Sequence, residues 1–160
     1  MEPYRLRRWR VTSGQLFTCG RPGRSKWKDA ARVPENIIRE WVCNLPGMAP
    51  VIVSLLGKKP NGTSEFSFYP FHGGFDDAGA QRGRLSFQKW LDNYYPERHI
   101  SVHEHPTEDF CAISTEVLVS VAADISQCLK AGETVILIDS GGQTRTGAVC
   151  RHIGVVEDFS

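Results

Sequence analysis

Apolar residues recur along this chain in two alternating periods, and the alternation predicts an α/β fold. Between 34 and 45, Ile37, Ile38, Trp41, Val42 and Leu45 fall on one helical stripe, with Pro34 placed for a first turn. The unbroken run Val51–Leu56 follows, as in a strand buried on both faces. Phe66–Phe71 is aromatic-rich and reads as a further strand, and the glycines of His72–Gly83 read as a loop. Phe87, Trp90, Leu91, Tyr94 and Tyr95 give Ser86–Tyr95 a helical spacing, and Ile100–His105 alternates like a strand. The clearest helix spans 115–130. Ser114 is its N-cap, Val117, Leu118, Val121, Ala122, Ile125, Cys128 and Leu129 are its stripe, and Gly132 is its stop. Val135–Ile138 is another buried strand, followed by a glycine-rich turn and a last helix beginning near Arg145. No repeat or linker breaks this order. The 160 residues are therefore expected to form a single domain, with a central mainly parallel sheet flanked by helices.

Ligands of such sheets sit beyond the carboxyl ends of the strands. One turn of the chain carries chemistry there: Val135–Gly147 reads Val-Ile-Leu-Ile-Asp-Ser-Gly-Gly-Gln-Thr-Arg-Thr-Gly. Successive backbone N–H groups, a helix N-terminus and a guanidinium able to grip two oxygens make an anion cradle. Its layout resembles the signature loop of the cysteine-dependent tyrosine and dual-specificity phosphatases, His-Cys-x-x-Gly-x-x-Arg-(Ser/Thr)-Gly. Gly142, Arg145, Thr146 and Gly147 match that pattern, whereas Asp139 holds the cysteine position and Ile138 the histidine position.

Three further stretches are similar to the family in the right order. Gly14–Pro22 looks like its opening strand and Gly-Arg-Pro turn, and Val51–Leu56 like its core strand. His105–Phe110 stands where the family carries its general-acid loop, which makes Asp109 the matching acid and Glu108 the second choice. The resemblance spans about residues 14–150 and implies a phosphatase-like fold with a phosphate-binding loop. Thirteen residues follow Gly147, so the C-terminus looks shortened. The implied phosphate contacts are Ser140, Gly141, Gly142, Gln143, Thr144, Arg145 and Thr146, and the implied catalytic group is Asp139, Arg145 and Asp109.

Asp139 changes the chemistry that the resemblance implies. The family's thiolate attacks phosphorus. A carboxylate here puts two oxygens where phosphate oxygens would sit, and like charges at about 4 Å cost roughly 4 kcal/mol at an effective dielectric near 20. The favoured expectation is an internal anion, with Asp139 pairing with Arg145 or the loop N–H groups and Thr146 donating its hydroxyl. The protein is then a pseudophosphatase or phosphate-binding module. The alternative is an active phosphoric-ester hydrolase with Asp139 as nucleophile or base, Arg145 as clamp and Asp109 or Glu108 as proton donor.

Composition adds little to this. The formal net charge of +1 gives no argument for nucleic acid or a membrane, and no apolar run approaches a bilayer span. Residues 1–32 are nonetheless basic, with Arg5, Arg7, Arg8, Arg10, Arg21, Arg24, Lys26, Lys28 and Arg32 against Glu2 and Asp29. A solvated edge is the ordinary reading, and Trp9 among arginines is a weak sign of base stacking. The five cysteines are scattered without Cys-x-x-Cys pairs, as in a reduced cytoplasmic protein. His99, Ser101, His103 and His105 share an alternating face. His-x-His can chelate a metal, but no third ligand stands at a telling spacing, so no metal and no cofactor is expected. Asp-Ser-Gly-Gly echoes a serine-protease stretch at Ser140, but the strand-and-helix context argues against that class. The expected partner is a phosphorylated ligand or protein, with a homodimer as a further possibility.

Overall fold

The computed structural model describes residues 3–28, 33–57, 65, 86–108 and 111–160. The expected strand 66–71, the loop 72–83 and Asp109 lie outside the described residues. Five strands form one sheet: β1 (Arg7–Trp9), β2 (Gln15–Gly20), β3 (Val51–Ser54), β4 (Ser101–Glu104) and β5 (Thr134–Asp139). Their order is β1-β2-β5-β3-β4. Four strands run parallel, and β1 joins β2 antiparallel at one edge. Last in sequence, β5 is central in space, with Leu16 opposite Val135 on one side and Val51 opposite the same residue on the other.

Helices cover both faces. They are α1 (Glu35–Cys43), α2 (Phe87–Tyr94), α3 (Thr115–Lys130) and α4 (Thr144–Ile153). Alternation along β5 divides the core: Ile136 and Ile138 pack with Ile38, Trp41, Phe87 and Trp90, whereas Val135 and Leu137 pack with Val121, Ile125 and Val149. This is why β3 and β5 read as unbroken apolar runs. Ser114 caps α3 by accepting the Val117 N–H at 3.3 Å, and Ser86 caps α2 by accepting that of Lys89 at 3.1 Å. Gly132 turns the chain out of α3 at φ 80°. Pro34 stands one position earlier than expected, as the N-cap of α1, where its carbonyl takes the Ile37 and Ile38 N–H groups.

The N-terminal segment is more than a solvated edge. Arg7–Trp9 pairs with β2, and residues 156–158 return along it: Arg10 N–H donates to Val156 O at 2.9 Å and Asp158 N–H to Arg8 O at 2.8 Å. Trp9 is a packing residue rather than a stacking platform. Its Nε1 donates to Thr18 Oγ1 at 2.9 Å, and the Arg7 guanidinium covers its ring. His99 leaves the expected histidine face, since it ends a short 3-10 turn in the left-handed conformation before β4 begins. None of the described helices is long and apolar enough to cross a membrane.

Candidate functional site

Parallel strands deliver their carboxyl ends to one rim of the sheet, and the loop 139–145 lies there at the centre. Neighbouring strand ends brace it. Arg21 N–H donates to Asp139 O at 3.0 Å, and Leu55 N–H donates to Ile138 O at 2.9 Å. Within the loop, Gly142 has φ +73°, and a Cβ there would lie 2.3 Å from Gly20 N. Only glycine lets the turn fold this closely onto β2.

The Asp139 carboxylate, 2% exposed, turns inward onto the loop. Oδ1 accepts the Gly142 N–H, while Oδ2 accepts the N–H groups of Arg145 at 2.9 Å and Thr146 at 3.1 Å. Two of these donors belong to the first turn of α4, whose own N-cap, Gln143, makes no capping bond from its side chain. A strand-end aspartate thus does the capping of α4 from outside the helix, where its charge also meets the positive end of the dipole. Of the two pairings left open by the sequence, the loop N–H groups are the one observed. The Thr146 hydroxyl does not donate to the carboxylate as expected. It is buried with no hydrogen-bond partner among the described residues, and the Thr146 backbone N–H serves instead.

Arg145 does not grip the Asp139 side chain. Its guanidinium forks onto Glu65, with Nη1 2.8 Å from Oε1 and Nη2 2.6 Å from Oε2. Nη1 also donates to Thr107 Oγ1 at 2.9 Å and to Leu55 O at 3.3 Å. Glu65 is fully buried and tied to Gly57 twice, its N–H donating to Gly57 O and its Oε1 accepting the Gly57 N–H. Arg145 and Glu65 form a buried bidentate pair beside the loop 139–145.

Side chains of the basic N-terminus reach the loop's outer face. Arg24 Nε donates to Ser140 Oγ at 3.2 Å, and Arg5 Nη1 donates to Gln143 Oε1. The sequence reading missed Glu65, Thr107, Arg24 and Arg5. Of these the arginines left a signal as part of an excess of positive charge, and Thr107 lies within the His105–Phe110 stretch, whereas Glu65 left none. Glu108, the second choice for an acid, is exposed, and its carbonyl accepts the Cys111 N–H at 3.4 Å. Cys19 lies on β2 beside the loop, paired in register with Ile138. Burial, and then the Asp139 charge, push its thiol far above the ordinary range.

No family model and no curated protein sequence matches the chain. Solved structures do. The kinase associated phosphatase (KAP), in a form whose catalytic-site cysteine is replaced by serine, aligns with 94% of this chain and 72% of its own at 19% identity and a TM-score of 0.55. A glycine-to-alanine mutant form of Tk-PTP aligns with 91% of this chain and 69% of its own at 18% identity, with a TM-score of 0.49. Tk-PTP in the active form aligns with 88% and 67% at 18% identity and a TM-score of 0.44. At such identities the likeness speaks to architecture, and the KAP alignment carries it. The chain has an α/β fold like that of the kinase associated phosphatase, with a five-stranded mainly parallel sheet and a glycine-rich loop at the end of its central strand.

Proposed function

We propose that this chain is a phosphatase-fold protein whose oxyanion cradle is held by its own carboxylates, acting as a catalytically silent binding or regulatory module. The observation that carries this reading is the Asp139 carboxylate on the N–H groups of Gly142, Arg145 and Thr146. Donors so arranged are otherwise an anion site. On this reading Asp139 stands in the place of the signature cysteine and fills the site that a phosphate would occupy. Glu65 strengthens the argument, because it takes both terminal nitrogens of the arginine that would clamp the phosphate. An incoming dianion would have to displace two buried carboxylates and be repelled by both. The neighbouring Cys19 offers no ready substitute nucleophile, since it is fully buried and burial pushes its thiol up. With the cradle filled, the partner is a protein, or a phosphorylated ligand held outside the loop, met in a reducing compartment such as the cytoplasm.

The test is hydrolysis of a generic aryl phosphate by the unmodified protein, with and without Mg²⁺, beside an Arg145→Ala control whose folding is checked by circular dichroism. No turnover above the control is the expected result. Turnover that the control loses would overturn the silent reading. It would favour an active hydrolase in which Asp139 attacks phosphorus and Asp109 or Glu108 protonates the leaving group.

A further inference from the structure

Away from the cradle, the edge strand β4 faces α3 across a cluster of metal-ligating side chains. His103 on β4 and His105 just beyond its end both point to α3, where Asp124 and Cys128 stand one helical turn apart. His103 Nδ1 lies 2.9 Å from Asp124 Oδ1, and His105 Nε2 lies 2.7 Å from Oδ2. Cys128 Sγ is 3.7 Å from Asp124 Oδ1. The ligand atoms of His103, Asp124 and Cys128 all lie within 4.8 Å of one another. These three line a cavity of about 290 Å³ whose wall also includes Ser101, Gln127 and Glu133.

We propose that His103 Nδ1, an Asp124 carboxylate oxygen and Cys128 Sγ bind a zinc-type divalent cation at this β4–α3 groove. Ligands of a tetrahedral zinc ion stand roughly 3.3–3.7 Å apart, so the observed separations need only small side-chain shifts. One nitrogen, one oxygen and one sulfur form a set that selects zinc over calcium or magnesium, which take oxygen ligands. His105 Nε2 holds the second oxygen of Asp124 and so fixes how the carboxylate points, the role that outer hydrogen bonds play around bound metals. The cavity leaves the fourth position to water or to Glu133. Zinc takes cysteine as a thiolate, so cation binding releases the Cys128 proton. The cluster shares no residue with the cradle, but the segment leaving β4 runs through His105 to Thr107, which touches Arg145. A cation here would fix that segment from its far end.

The test uses the full chain, freed of metal by a chelator and titrated with Zn²⁺, and separately with Co²⁺ as a spectroscopic probe. The expected result is one equivalent of Zn²⁺ per chain, a raised melting temperature, and a thiolate-to-cobalt charge-transfer band in the near ultraviolet. Cys128→Ser should abolish the band and His103→Gln should weaken binding at least about tenfold, while Cys43→Ser leaves both unchanged. If the unmodified protein binds no stoichiometric Zn²⁺ or lacks the band, the site does not exist. A band or affinity unchanged in His103→Gln would overturn it equally, even if Cys128→Ser fails to fold.

Discussion

The Arg145 guanidinium places both terminal nitrogens on the Glu65 carboxylate, at 2.8 and 2.6 Å, with Arg145 6% and Glu65 0% exposed. A buried pair of this kind is costly to break from one side, because the surviving charge is left without a partner. Glu65→Ala should cost about 3–5 kcal/mol, or roughly 6–20 °C in melting temperature for a chain of this size. Millimolar phosphate or sulfate should restore part of the loss by pairing with Arg145. Thermal melts with and without the anion check this. Equal anion effects on the variant and the unmodified protein would mean that Arg145 does not face the cradle mouth.

Asp139 is the second internal anion, and its removal should separate stability from binding. Asp139→Ser removes the capping carboxylate of α4 and should destabilise by about 2–4 kcal/mol, the scale of lost charge-assisted bonds. The same change vacates the loop N–H groups, so affinity for phosphate, sulfate or vanadate should rise at least about tenfold, equivalent to 1.4 kcal/mol. Isothermal titration of both proteins is the measurement. Unchanged anion affinity would mean that the carboxylate is not what keeps anions out.

Gly142→Ala meets both a positive φ and a backbone wall, since its Cβ would lie 2.3 Å from Gly20 N and 2.5 Å from Cys19 C. Neither obstacle is a flexible side chain. A loss of about 2–4 kcal/mol is expected, whereas Gly141→Ala, with nothing within 4 Å of its Cβ, should leave stability nearly unaltered. Chemical denaturation of the two variants gives the comparison.

Thiol reactivity should divide the cysteines. Burial is the main cause that pushes Cys150 up to about 12 and Cys19 still higher. At pH 8 the folded protein should take up iodoacetamide at the exposed Cys43 and Cys111, and at Cys19, Cys128 and Cys150 only after unfolding. Peptide mass spectrometry reads the pattern, and native labelling of Cys19 would contradict the protonated thiol assigned to it.

What the sequence disclosed follows physical range. The α3 helix was legible because a seven-residue stripe, the Ser114 cap and the Gly132 stop agree within one segment. The loop 139–145 was legible as a turn between a central strand and a helix because glycines directly follow an apolar run, a local feature. β1 was not, since its three residues become a strand only by pairing with β2 and with residues 156–158. Glu65 left no trace for the same reason. It is one acidic residue in a polar stretch, and its meaning comes from an arginine eighty positions away. The histidine face could be suspected, but its third and fourth members, Asp124 and Cys128, are supplied by a helix that the strand's pattern cannot specify.

The return of residues 156–158 along β1 covers one edge of the sheet. An edge strand invites another chain to extend its ladder. Here Trp9 bridges Glu157, and ion pairs of Arg7 with Glu157 and of Arg10 with Asp158 hold that short ribbon in place. Proteolytic nicking after Gly154 would lift the ribbon and leave a twisted, arginine-studded border open to its neighbours. The same three residues thus occupy hydrogen-bonding groups that an open edge strand would offer to another chain.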